Sequence, residues 1–170
     1  MVPLRSGWSL CSDTSGQIHE GIEKEMPFSD LQVQDLLPHR HPFLFVDKIL
    51  SLQPDHRVEG TFRVQDDHPF VNRTGAVPVF PASLVVEALG QIAAICIRYP
   101  QGETSPQLRP RGFLARIDQC SFEHPVHVGE ALLLTASLVK HFATLYKFEA
   151  MGSVDDKIVV KAVLTLYLEF

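Results

Sequence analysis

A chain of 170 residues, 45% hydrophobic and 21% charged, can bury one sizeable core but is short for two full domains. Its formal charge of −5 at pH 7 lacks the basic face that phosphate neutralisation needs, so no nucleic-acid partner is expected. Three scattered cysteines argue against a disulfide framework or a Cys-x-x-Cys metal site, and no apolar run approaches the roughly 20 residues of a membrane span or forms a signal-peptide core; a soluble, cytoplasmic protein with no metal and no membrane contact is expected.

Residues 1–27 are rich in Ser, Gly and charge without steady periodicity and read as a flexible extension, with the organised domain over 28–170. Ser29 suits the cap of a short helix over 30–37, with Asp30 favourable at its start and Pro38 ending it. The turn-rich Pro38-His39-Arg40-His41-Pro42 follows. Strands are predicted at 44–52 and 57–64, where β-branched and aromatic residues interleave with charges. Gly and Pro punctuate 66–81, a loop leading into a long apolar helix between Ala82 and Ile97. Residues 99–111, rich in Pro, Gly and charge, predict an exposed connection. Strands at 112–122, 131–140, 145–154 and 157–170 close the chain, with Val154-Asp155-Asp156-Lys157 as a hairpin turn. Two strands, a helix and a run of antiparallel strands make an α+β domain.

The polar side chains of the helix, Ser83, Glu87 and Gln91, are spaced by four and share one narrow stripe. Every other face needs cover, which a curved sheet wrapped around a central helix would supply, leaving the stripe for a partner subunit or a ligand channel. A carboxylate on such a helix is costly to bury unless it is hydrogen-bonded, protonated or facing a polar cavity. Glu87 is therefore either a functional carboxylate or a structural one paired with Gln91 or with a cation from elsewhere.

Three segments carry a family resemblance. Leu36-Leu37-Pro38-His39-Arg40-His41-Pro42-Phe43-Leu44-Phe45-Val46-Asp47, then Pro81-Ala82-Ser83-Leu84-Val85-Val86-Glu87-Ala88-Leu89-Gly90-Gln91, then Cys120-Ser121-Phe122-Glu123-His124-Pro125-Val126 with Val128-Gly129-Glu130 follow one another in the order found in bacterial 3-hydroxyacyl-acyl-carrier-protein dehydratases. The chain resembles that family from about Phe28 onward. The resemblance implies a hotdog fold, an antiparallel curved sheet wrapped around one long helix, and a dimer with two sites at its interface. It also implies acyl-thioester substrates of fatty-acid or polyketide-type synthesis, carried on the phosphopantetheine of acyl-carrier protein or coenzyme A, with no further cofactor. In the family, a histidine in a Gly-His-Phe-Pro-Gly loop takes the proton beside the thioester carbonyl. A helix carboxylate from the other subunit helps the 3-hydroxyl leave as water, and main-chain N–H groups near the helix start polarise the carbonyl.

Aligned back from Glu87 without a gap, the loop reads Asn72-Arg73-Thr74-Gly75-Ala76-Val77-Pro78-Val79-Phe80-Pro81. Glu87 takes the place of the carboxylate, and Arg73 stands where the resemblance implies the histidine. A guanidinium accepts no proton at physiological pH, so ordinary dehydration is expected to be severely impaired, since a general base is typically responsible for about 10²–10⁴-fold in rate. Arg73, Gly75 and Ala76 of the loop, with Phe80, Ser83, Leu84 and Gln91 around the helix start and stripe, are the expected substrate contacts. His68, five residues before Arg73, is the candidate replacement base; its alternative is a solvated histidine in an exposed loop. His39 and His41 read as structural parts of the Pro-flanked turn, and His124 and His127 lack metal-ligand spacing. Arg98, Arg109, Arg111 and Arg116 form either a docking patch for an acidic carrier protein or a solvated loop.

These residues leave several activities open. The chain is expected to be a dehydratase-like thioester binder, either an impaired homodimer or one half of a heterodimer whose other hotdog chain brings the histidine. The alternatives are a hotdog acyl thioesterase using Glu87, and a dehydratase using His68.

Overall fold

The computed structural model describes residues 32–98 and 111–169. The expected extension at 1–27, the Ser29 cap, Asp30, Arg109 and the connection at 99–110 lie outside the described residues. The short helix α1 is Val33–Leu36, opening at Gln32 without a side-chain cap. Strands β1 (Lys48–Gln53), β2 (Arg57–Arg63) and β3 (Val79–Phe80) precede helix α2 (Ala82–Arg98). After it come β4 (Arg111–Phe122), β5 (Val126–His127), β6 (Ala131–Phe142), β7 (Leu145–Val154) and β8 (Lys157–Glu169).

Six strands form one sheet in the order β1-β2-β6-β7-β8-β4, all neighbours antiparallel, while β3 and β5 make a separate two-stranded ribbon. The β7–β8 hairpin turns through Asp155 and Asp156, both at positive φ, 46° and 63°, as a tight two-residue turn demands. Register shifts in the β1–β2, β4–β8, β6–β7 and β7–β8 pairings curve the sheet around α2.

Helix α2 is enclosed as its composition requires: Val85, Val86, Ala88, Leu89, Ile92, Ala93, Ile95, Cys96 and Ile97 are buried against Leu132, Leu134, Ala136, Phe148, Val160 and Leu164 of the sheet. Each fully buried Leu, Ile or Val contributes about 1.5–3 kcal/mol, so this layer is the principal hydrophobic store of the domain. Two glycines let the helix sit close. A Cβ on Gly60 of β2 would meet the Lys48 carbonyl oxygen at 2.6 Å and Ile92 Cδ1 at 2.7 Å, and one on Gly152 of β7 would meet Val85 Cγ1 at 3.1 Å.

Two expectations need adjusting. The first strand begins at Lys48 rather than residue 44, because the Phe45 N–H is taken by the Gln91 side chain instead of a neighbouring strand. Arg111, read as the end of a loop, opens β4 and pairs with Glu169.

Candidate active site

The polar stripe of α2 faces the segment that precedes β1. Gln91, only 2% exposed, is fully engaged: its Oε1 accepts from Phe45 N at 2.8 Å, and its amide donates to the Phe43 carbonyl at 3.0 Å and to Glu87 Oε1 at 3.1 Å. This fixes the amide orientation and anchors the turn after Pro38 onto the helix. It also leaves Gln91 no hydrogen to offer a substrate, so its place in the site is to hold Glu87. The Glu87 side chain is 28% exposed, a half-open carboxylate of the kind a site needs.

The histidine beside Glu87 is His39, whose Nε2 lies 3.7 Å from Glu87 Oε1. Burial holds the His39 imidazole below its ordinary pKa; Glu87 opposes this, and the positive charges of Arg98 and Arg40 add to it. Its Nδ1 is buried without a hydrogen-bond partner among the described residues. Sequence reading set His39 aside as part of a turn. The signal missed was that the turn must cross the helix stripe, a long-range consequence of the Gln91 bonds that no local spacing records.

His68 lies elsewhere and is not the solvated loop histidine that its position before Pro69 suggested. It is 6% exposed and enclosed by the rings of Phe80 at 5.5 Å, Phe70 at 5.6 Å, Phe45 and Phe62 at 5.9 Å, and His41 at 6.0 Å. The reason is that three of those phenylalanines come from the core, and a turn only five residues past β2 is drawn into it. Burial and the neighbouring His41 lower the pKa of His68, and its Nε2 has no hydrogen-bond partner among the described residues. Phe80, 2% exposed, belongs to this aromatic cluster.

The loop carrying Arg73 is closed at its neck by a bridge between Asn72 and Val79, with N···O distances of 2.8 and 3.1 Å. Inside it, Asn72 Oδ1 accepts from the Thr74 N–H at 2.9 Å and the Thr74 hydroxyl at 2.7 Å, an Asx turn. Arg73, Gly75 and Ala76 are exposed. The Arg73 guanidinium pairs with Asp66 Oδ1 at 3.1 Å and also donates to the Asp66 carbonyl. At the helix start, Ser83 is exposed and Leu84 half-buried.

Of the expected docking arginines, Arg98 and Arg111 come together with Arg40 around a cavity of about 460 Å³, whose apolar wall includes Leu36, Leu37 and Phe113. Arg98 also donates to the Leu36 carbonyl at 3.1 Å. Arg116 is outside this group, paired with Asp118 at 2.8 Å on β4. Cys96 offers no nucleophile, since burial pushes its thiol up to about 11. Among the described residues, no cluster of three or more His, Cys, Asp or Glu side chains could hold a metal ion, and no helix is long and apolar enough to cross a membrane.

Comparison with known proteins follows this geometry. The profile of the FabA-like domain matches residues 37–163. A 3-hydroxyacyl-[acyl-carrier-protein] dehydratase FabZ of Desulfotalea psychrophila is 34% identical over 133 residues, covering 78% of this chain and 87% of that protein. The FabZ of Albidiferax ferrireducens is 35% identical over 130 residues, covering 76% and 86%. Among solved structures, a chain of the dehydratase heterocomplex ApeI:P from Xenorhabdus doucetiae superposes with a TM-score of 0.71 at 21% identity, over 82% of this chain and 92% of that one. That likeness bears on the fold, which is the hotdog fold: six antiparallel strands around a central helix.

Proposed function

This chain belongs to the FabA-like domain family, and from that premise we propose that it serves 3-hydroxyacyl-thioester dehydration as the carboxylate half of a site shared with a histidine-bearing hotdog partner. The observation that carries this reading is Glu87. It is a half-exposed carboxylate on an otherwise enclosed helix, held on one oxygen by Gln91, at the position where the family resemblance implies the carboxylate. Arg73 stands where the resemblance implies the base, and its guanidinium, paired with Asp66, removes no proton from C2 of the substrate. In the shared site the partner's histidine takes that proton. Glu87 passes a proton to the departing 3-hydroxyl, which leaves as water as the C2–C3 double bond forms. The thioester arrives on the phosphopantetheine of acyl-carrier protein or coenzyme A, with no other cofactor, and Arg40, Arg98 and Arg111 give the carrier a positive rim.

A partner surface is available. β4 ends the sheet, and Phe113, Ile117 and Phe122 along it are 48%, 48% and 57% exposed in the single chain. A twelve-residue apolar edge strand is a pairing template that proteins ordinarily cover.

Complementation tests the proposal. The chain is mixed with a FabZ-type dehydratase that keeps its histidine but has its helix carboxylate replaced by the amide, and hydration of a 2-enoyl thioester is followed. Turnover is expected in the mixture alone and is lost with Glu87→Gln, falling about 10²–10⁴-fold as for an acid–base group. Full turnover by this chain alone would refute the partner requirement, and release of free thiol in place of hydration would establish a thioesterase.

A further inference from the structure

Glu87 has a neighbour that neither the stripe of α2 nor the loop of Arg73 accounts for. We propose that His39 is a positioning residue for Glu87, fastening one carboxylate oxygen together with Gln91 so that the other is presented to the reacting atoms; this rests on the reading of Glu87 as the carboxylate of the site. Both partners approach the same oxygen: Gln91 Nε2 at 3.1 Å and His39 Nε2 at 3.7 Å from Oε1, while Oε2 has no hydrogen-bond partner among the described residues. The longer distance exceeds a hydrogen bond, and such contacts commonly tighten only with the reactant in place.

The state of the imidazole follows from its surroundings. Glu87 and Arg98 face it from α2, Arg40 from its own turn, and the Phe43 ring stands 6.4 Å away. Partial burial, with the Arg98 and Arg40 guanidinium charges, outweighs the pull of Glu87 and holds the imidazole below its ordinary pKa, which favours the neutral ring. Its buried Nδ1 has no acceptor to meet an N–H, and an unbonded lone pair is tolerated there more readily than an orphaned N–H donor. The proton therefore resides on Nε2, pointing at Glu87. His39 thus acts as a fixed donor that leaves the proton of Glu87 to move on the other oxygen.

The turn that carries His39 is itself tied to α2, since the Gln91 amide holds Phe43 and Phe45, and Arg40 donates to the Leu37 and His39 carbonyls at 2.8 Å each. The imidazole is thereby placed by bonds from the Gln91 and Arg40 side chains to the main chain of its own turn rather than by chance contact.

The pair is read without turnover by NMR titration of the full chain carrying isotope-labelled histidine, the His39 resonance being assigned by its loss in His39→Gln. In Glu87→Gln the His39 midpoint is expected to move down, because the one charge favouring imidazolium is gone, while the His68 midpoint stays. An unmoved His39 midpoint overturns the proposal. In the complemented assay, His39→Phe is expected to lower kcat roughly 10²-fold, the cost of an ångström-scale misplacement, with KM little changed. His39→Gln, which keeps a donor near Nε2, recovers most of the rate. Equal losses in both variants, or a loss confined to KM, would equally overturn it. Absence of turnover in every arm refutes the dehydration reading instead, and the titration then decides the pairing on its own.

Discussion

His68 sits among four phenylalanine rings with an imidazole nitrogen left unbonded, so the folded protein binds a proton there less readily than the unfolded chain does. The pKa is lowered on folding, so its contribution to stability is complete above the unfolded value, about 6.5, and is lost as pH falls below it. His39 acts in the same direction. Thermal unfolding followed from pH 7.5 to 5 should therefore show stability falling toward acid, by at most about 1.4 kcal/mol per pH unit for each histidine that must charge. His68→Phe, which suits the aromatic cage, should flatten that slope, and an unaltered slope would show that the cage does not govern it. Individual side chains were unevenly legible in the sequence. Glu87 stood out because a carboxylate on an apolar helix has no local excuse. The surroundings of His39 and His68 depend on Gln91 and on Phe45, Phe62 and Phe80, which lie 6 to 52 residues away along the chain and leave no periodic mark.

The elements were far easier to read. Helix α2 and the strands β2, β7 and β8 fall within a residue or so of the predicted limits, because long apolar periods and the Asp155-Asp156 turn mark them. The ribbon of β3 and β5 was not predicted, since two residues on each side are too few to display alternation. The seat of α2 on the sheet depends on a missing side chain rather than a present one. Gly60→Ala forces a methyl group against the Lys48 main chain and Ile92, and is expected to destabilise by about 1–3 kcal/mol, lowering the urea midpoint. Gly152→Ala, whose nearest neighbour is the more yielding Val85 Cγ1 with Leu132 and Leu134 at ordinary contact distance, should cost less. Equal midpoints for Gly60→Ala and the parent protein would show that the sheet gives way more easily than its geometry suggests.

As a whole molecule the single chain leaves β4 uncovered, and alternation of buried and exposed residues fails there although the sequence alternates well enough for a strand. Its core is closed, so association is expected to use this edge without unfolding anything else. Ile117→Lys places a charge on the exposed strand and should convert a two-chain particle to a single chain at micromolar concentration, read by light scattering with unchanged circular dichroism. An unchanged mass would move the partner surface elsewhere. The neck between Asn72 and Val79 has a wider meaning at this scale. Because main-chain bonds shut the base of the segment, the residues it displays contribute almost nothing to keeping the domain folded. Substitutions at that tip are therefore expected to leave the curved sheet and its enclosed helix in place, so the segment can exchange the groups it presents without a change of fold.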